Sequence, residues 1–131
     1  MTLVVDATVV ASALIDGGPE GVWAAEQLAA GPVAAPHHMP VEVASVLRRA
    51  VRHGELSQGV AALALRELAE LRIELFPFAP FARRVWELRD NVSSYDAWYV
   101  ALAESLDVPL ATLDGRLSRA HGCGCDFRSH E

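Results

Sequence analysis

Short apolar runs alternate along the whole chain with longer stretches of helical periodicity, and this alternation constrains the fold more than any other feature. Leu3-Val4-Val5 is apolar on both faces, as a strand covered from both sides must be. Helices are predicted over 8–15 and 20–30, the first stopped by Gly17-Gly18-Pro19 and the second by Gly31. A second strand is predicted over 32–35. Pro40 then opens a helix over 41–53, where its fixed φ suits the first turn, and Gly54 ends it. Ser57 caps a helix to about residue 72, with Leu63, Leu68 and Leu71 among its apolar positions. A strand over 73–78, a short helix over 81–89, a helix over 95–106 capped by Ser93 or Ser94, and a strand over 109–113 complete the pattern. The tail from Gly122 offers one edge strand. Strands alternating with helices predict an α/β fold with a mostly parallel sheet of four to five strands. The 131 residues are sized for one domain spanning 1–131.

Composition removes several kinds of chemistry. The formal charge is −6, which argues against a generally basic nucleic-acid-coating protein. All 11 basic residues are Arg, and there is no Lys. A Walker-A phosphate loop and Schiff-base catalysis both need that lysine. So do the phospho-receivers and haloacid-dehalogenase-type phosphatases that an acidic, strand-first chain brings to mind. No apolar run reaches the roughly 18 residues of a membrane span. The start has no basic region and carries Asp6 within its apolar stretch, against a signal peptide. Two cysteines one residue apart make no disulfide framework. The expectation is a reduced, cytoplasmic protein without membrane contact.

Four carboxylates interrupt strongly apolar surroundings. Asp6 ends the first strand and Asp114 the fourth, while Glu42 and Asp96 each lie in the first turn of a helix. In open parallel sheets, sites form outside the carboxyl ends of the strands, so all four are expected at one edge. Taken singly, each has a plainer reading: Asp6 as a helix cap, Glu42 and Asp96 as first-turn acids, Asp114-Gly115 as a turn. Together they would repel one another and raise each other's pKa values unless a cation neutralised them. Hard oxygen donors of this kind suit Mg²⁺, with Mn²⁺ as substitute, and metal-assisted phosphodiester hydrolysis.

The run Ser94-Tyr95-Asp96-Ala97-Trp98-Tyr99-Val100-Ala101-Leu102-Ala103-Glu104 is followed by Pro109-Leu110-Ala111-Thr112-Leu113-Asp114. With Val5-Asp6-Ala7-Thr8 and Pro40-Val41-Glu42-Val43-Ala44, it makes the chain resemble the PIN-domain ribonucleases, in particular the VapC toxins of bacterial toxin–antitoxin modules. The resemblance covers nearly the whole chain. It implies a three-layer α/β/α PIN-like domain and a Mg²⁺- or Mn²⁺-dependent endoribonuclease acting on RNA such as tRNA or rRNA. Asp6, Glu42, Asp96 and Asp114 are then the acidic quartet, with Asp6 and Asp96 as direct metal ligands and Thr8 and Thr112 as supporting hydroxyls. A cognate VapB-like antitoxin and a homodimer are the partners it implies. The chain departs from the family in its tail, His121-Gly122-Cys123-Gly124-Cys125-Asp126-Phe127, and in lacking a further carboxylate over 115–120. Two other readings stand beside it: a catalytically silent module that keeps the fold to hold a partner, and an RNA-processing nuclease without an antitoxin.

An acidic protein that holds a polyanion needs local cations. Arg49 lies seven positions beyond Glu42, about 700° of helical rotation, and therefore shares its face. It is the foremost phosphate contact. Arg48 and Arg52 share its helix, and Arg83, Arg84, Arg116 and Arg119 are secondary candidates whose plainer reading is solvated surface charge. His37-His38 reads as a solvated loop pair with a metal or RNA role as the alternative. His121, Cys123 and Cys125 share one face of an extended tail and, with His130, offer zinc donors, against a plainer reading as small buried thiols. Trp23, Trp86 and Trp98 sit in apolar helical patterns and read as packing in the core or a dimer.

Overall fold

The computed structural model describes residues 2–130. Its five strands are β1 (Leu3–Val5), β2 (Val33–Pro36), β3 (Ile73–Phe76), β4 (Leu110–Ala111) and β5 (Phe127–Arg128). They form one sheet in the order β3-β2-β1-β4-β5, with every neighbouring pair parallel. The helices are α1 (Ala7–Ile15), α2 (Pro19–Ala29), α3 (Met39–Arg52), α4 (Gln58–Glu70), α5 (Ala82–Glu87), α6 (Ser94–Leu106) and α7 (Gly115–Ser118). The connections from β1 through β3 step in one direction and that from β3 to β4 steps back. Right-handed crossovers therefore put α1–α4 on one face and α5–α6 on the other, a three-layer α/β/α arrangement. α1 packs on α2, α3 and α4, and α5 on α6, as this requires.

Parallel strands between two helical layers must be apolar on both faces, and β1, β2 and β4 are buried at every position. α6 is the most deeply set helix. Its small residues Ala97, Ala101 and Ala103 let it lie close against β1, β2 and β4, with Val100 and Leu102 filling the space between. α1 and α2 approach so closely that a Cβ on Gly21 would stand 1.7 Å from the Asp16 carbonyl oxygen, which only glycine permits. Gly54 closes α3 with φ +72°, a left-handed turn that glycine takes without strain. No helix among the described residues is long and apolar enough to cross a membrane.

The tail is held less by its two-residue strand than by a side-chain clasp. Arg84 donates from Nε and Nη2 to the two oxygens of Glu104, at 2.7 and 3.0 Å. The same Nη2 donates to the Gly122 carbonyl at 2.8 Å, and Gly124 N donates to Glu104 Oε2 at 2.5 Å. Burial pushes the Glu104 carboxyl up, but the guanidinium and the amide outweigh it and hold the group below its usual range. Arg84 is thereby removed from the candidate RNA contacts.

Several expectations are corrected. Strand β3 ends at Phe76 and is followed by a 3-10 turn, Ala79–Phe81, because Pro77 and Pro80 cannot donate to a ladder. Asp114-Gly115 is no simple turn but the entry to α7. Trp86 is 67% exposed with the Arg89 guanidinium 4.7 Å from its ring, so it does not pack in the core. Leu63 is likewise exposed. Truncating the fully buried Leu102 to Ala should cost about 2–5 kcal/mol in urea unfolding, because α6 has sheet on its inner face and cannot collapse into the gap.

Candidate functional site

The sheet reverses its direction of growth between β1 and β4, and the carboxyl ends of these two strands flank a crevice. Asp6 leaves β1 there. Its side chain caps α1, Oδ1 accepting from Thr8 N at 3.1 Å and Val9 N at 3.2 Å. Two hydroxyls complete the set: Thr8 Oγ1 donates to Oδ1 and Thr112 Oγ1 to Oδ2, each at 2.5 Å. Each hydroxyl in turn accepts a backbone amide of the β4–α7 connection, Leu113 N on Thr8 Oγ1 at 3.0 Å and Asp114 N on Thr112 Oγ1 at 2.9 Å. One carboxylate thus ties the start of α1 to the end of β4. The plain reading of Asp6 as a cap and its reading as a site residue describe the same geometry.

Asp6 is only 4% exposed. Burial pushes its carboxyl up to about 6 despite the hydroxyl and amide donors, and the charge of Asp96 adds to the rise. Asp96, in the first turn of α6, is also raised, first by burial and then by Asp114 and Glu42. The expected quartet therefore shares one electrostatic environment. Asp114 is turned by its own capping role, its Oδ1 accepting from Arg116 N at 2.9 Å and Leu117 N at 3.4 Å.

Glu42 is held by two residues whose roles the sequence did not reveal. Tyr99 donates its hydroxyl to Glu42 Oε1 at 2.6 Å, and His38 Nε2 stands 3.2 Å from the same oxygen. Burial, then Glu42, drives the Tyr99 phenol far above its usual range, so it remains a donor. His38 is no solvated loop residue. Its ring stacks on Trp98 at 4.5 Å with planes 4° apart, and Nε2 lies 3.0 Å from the Tyr95 carbonyl. Burial lowers its pKa, so the ring is neutral. The Tyr95 carbonyl at Nε2 assigns the proton there and leaves the buried Nδ1 unprotonated and unpaired. The sequence read Trp98 as packing in the core or a dimer and gave Tyr99 no role, and the only hint of more was their position close after Asp96.

Two clefts open on either side of the acids. One, of about 490 Å³, is lined by Ser93, Asp96, Asp114, Arg116 and His121. The other, of about 610 Å³, is lined by Thr8, Glu42, Ser45, Arg48, Arg49 and Tyr95. Arg49 thus shares a wall with Glu42, as helical rotation predicts. A third, apolar groove of about 580 Å³ runs between α3, α4 and β3, past Val41, Leu65 and Leu75.

Among the described residues, no three His, Cys, Asp or Glu side chains gather tightly enough to hold a metal ion unaided. That removes the zinc reading of the tail. His130 packs against Trp23 at 5.8 Å, and burial first of all raises both thiols, Cys125 to about 12, so they remain neutral. The acids still fit Mg²⁺ or Mn²⁺. Such ions take one or two carboxylates, keep several waters and complete their shell with substrate phosphate, rather than demanding a protein cage. Hard oxygen donors that raise one another's pKa are a donor set that a dication relieves.

The family model for the PIN domain matches residues 3–122. Ribonuclease VapC1 of Mycobacterium tuberculosis is 42% identical over 126 residues, 95% of this chain and 95% of that protein. Among solved structures, M. tuberculosis VapC20, described as a sarcin-ricin loop cleaving toxin, superposes with TM-score 0.68 at 19% identity, covering 88% of this chain and 92% of that one. VapBC2 from Rickettsia felis, bound to a DNA fragment from its promoter, gives TM-score 0.71 at 14% identity over 100% of both chains. At these structural identities the likeness is one of fold.

The buried Asp6 sets a pH dependence. A carboxyl whose folded value of about 6 exceeds its ordinary 3.8 keeps its proton better in the folded state, so stability falls as pH rises from about 4 to about 6. In EDTA, Asp6→Asn should flatten this descent by roughly 3 kcal/mol, read from urea midpoints across that window. An identical slope in parent and variant would contradict the assignment.

Proposed function

From the premise that the chain belongs to the PIN-domain family, we propose that it is the endoribonuclease toxin of a toxin–antitoxin pair, dependent on Mg²⁺ with Mn²⁺ as substitute. One observation carries the reading: Asp96 is coupled by charge to Asp6, Asp114 and Glu42, three acids from separate segments of the chain.

Asp6 and Asp96 would hold the cation, with Glu42 and Asp114 flanking it. The ion supplies Lewis acidity towards a water and a phosphate oxygen. The Thr8 and Thr112 hydroxyls fix both oxygens of Asp6, so its orientation costs nothing when substrate arrives. Tyr99 does the same for one oxygen of Glu42. Arg49 offers its guanidinium to an adjoining phosphate. Water attack in line on phosphorus needs no protein nucleophile and no histidine, and leaves a 5′-phosphate. The RNA class is tRNA or rRNA, met in the cytoplasm, and the acting form is a homodimer. A VapB-like antitoxin would place a basic side chain among the acids. The apolar groove past Val41, Leu65 and Leu75 supports a partner chain lying over this side of the molecule.

Purified protein incubated with total RNA should cut it in Mg²⁺ or Mn²⁺, stop in EDTA, and leave 5′-phosphate ends. Asp96→Asn should lower cleavage at least about a thousandfold while the melting transition stays cooperative. Cutting that persists in EDTA with 2′,3′-cyclic phosphate ends would overturn the mechanism. Arg49→Ala should raise KM about 5- to 20-fold with kcat nearly kept, as for loss of one charge-assisted phosphate contact.

A further inference from the structure

Tyr95 is 66% exposed at the start of α6, whereas its neighbours Trp98 and Tyr99 turn inward. It is also the outer end of an aromatic series. Phe78 meets Trp98 edge to face at 5.2 Å, Trp98 stacks on His38 at 4.5 Å, and His38 lies 5.9 Å from Tyr95, tilted by 38°. The root of Tyr95 is fixed. His38 Nε2 lies 3.0 Å from its carbonyl oxygen, and Ser93 caps the helix turn through Asp96 N at 3.2 Å. The ring forms part of the wall of the cleft that holds Glu42, Arg48 and Arg49. An exposed aromatic ring rooted on a rigid helix turn, beside two guanidinium groups and one residue from a site acid, serves no packing purpose of its own.

We propose that this cleft is a nucleotide subsite in which an unpaired RNA base stacks on Tyr95, continuing the aromatic series, while Arg48 and Arg49 take the flanking phosphate. The proposal rests on the ribonuclease reading and adds to it the residue that holds a base. A base inside a duplex has both faces covered, so the base that stacks on Tyr95 is an unpaired one. Stacking on an aromatic face is tolerant of base identity, so Tyr95 contributes affinity and register, and not a preference among the four bases.

The test uses fluorescein-labelled single-stranded RNA of random sequence, bound to the Asp96→Asn protein in Mg²⁺ and followed by anisotropy. Adding Tyr95→Ala should weaken binding about 5- to 150-fold, the range for one lost base stack, and Tyr95→Phe should bind like the parent. An abasic strand of equal length should bind both forms alike. In the active protein, Tyr95→Ala should raise KM and keep kcat. Unchanged affinity and KM in Tyr95→Ala would overturn the subsite and leave the ring to a protein partner. A loss in kcat alone, or an equal loss in Tyr95→Phe, would overturn it too. If the wild type fails to cut total RNA in Mg²⁺, the ribonuclease reading falls and the subsite with it. Cutting with a Tyr95-independent KM removes the subsite only.

Discussion

The Asp6 carboxylate is the contact through which the two halves of the sheet communicate. It leaves β1, caps α1, and through Thr8 and Thr112 gathers two amides from the chain that leaves β4. A charge in such a place is costly, since burial alone drives its pKa upward against four donors. The cost is spread over every group that touches it. Because one of those donors, Thr112, lies 106 positions away, and Leu113 N reaches the Thr8 hydroxyl across 105, the crevice cannot assemble before β1 and β4 are paired. Fold and site are consequently one construction.

Around that anchor, the molecule uses rigid supports in preference to long loops. Tyr99 fixes one oxygen of Glu42, and Trp98 fixes the plane of His38 beside it. Asp114 is steadied by the first amides of α7, which it caps. These supports orient the acids without neutralising them, and the carboxyls of Asp6 and Asp96 are raised first by burial and then by the neighbouring acids. The Arg84–Glu104 clasp gives the tail what its two-residue strand cannot, a fixed place beside β4.

Strand ends and local periodicity made the four acids legible, because a carboxylate that interrupts an apolar run is visible within a few residues. The helical angle between Glu42 and Arg49 was legible for the same reason. What escaped depends on contacts between distant segments. Arg84 pairs with Glu104 twenty residues away, and nothing in the local pattern distinguishes it from a solvated arginine. His38 and Tyr99 are 61 positions apart, yet meet on one carboxylate oxygen. Of the two packing readings of Trp86, core or dimer, the core one fails because α5, with 6 residues, is too short for its apolar positions to define a buried face. The zinc alternative for the tail's cysteines stayed open in the sequence because spacing says nothing about whether a fourth ligand arrives.

The double duty of Asp6 also determines how such a chain can decay. A lesion there that removes the acceptor oxygens takes away the helix cap and the β1–β4 tie together, so the product is a protein that the cell's proteases remove. Asp96 carries a smaller structural share, since Ser93 caps its helix in its place. On the proposed mechanism, disarmed but well-folded descendants would therefore accumulate their losses at Asp96 and keep Asp6, a residue then held by architecture alone.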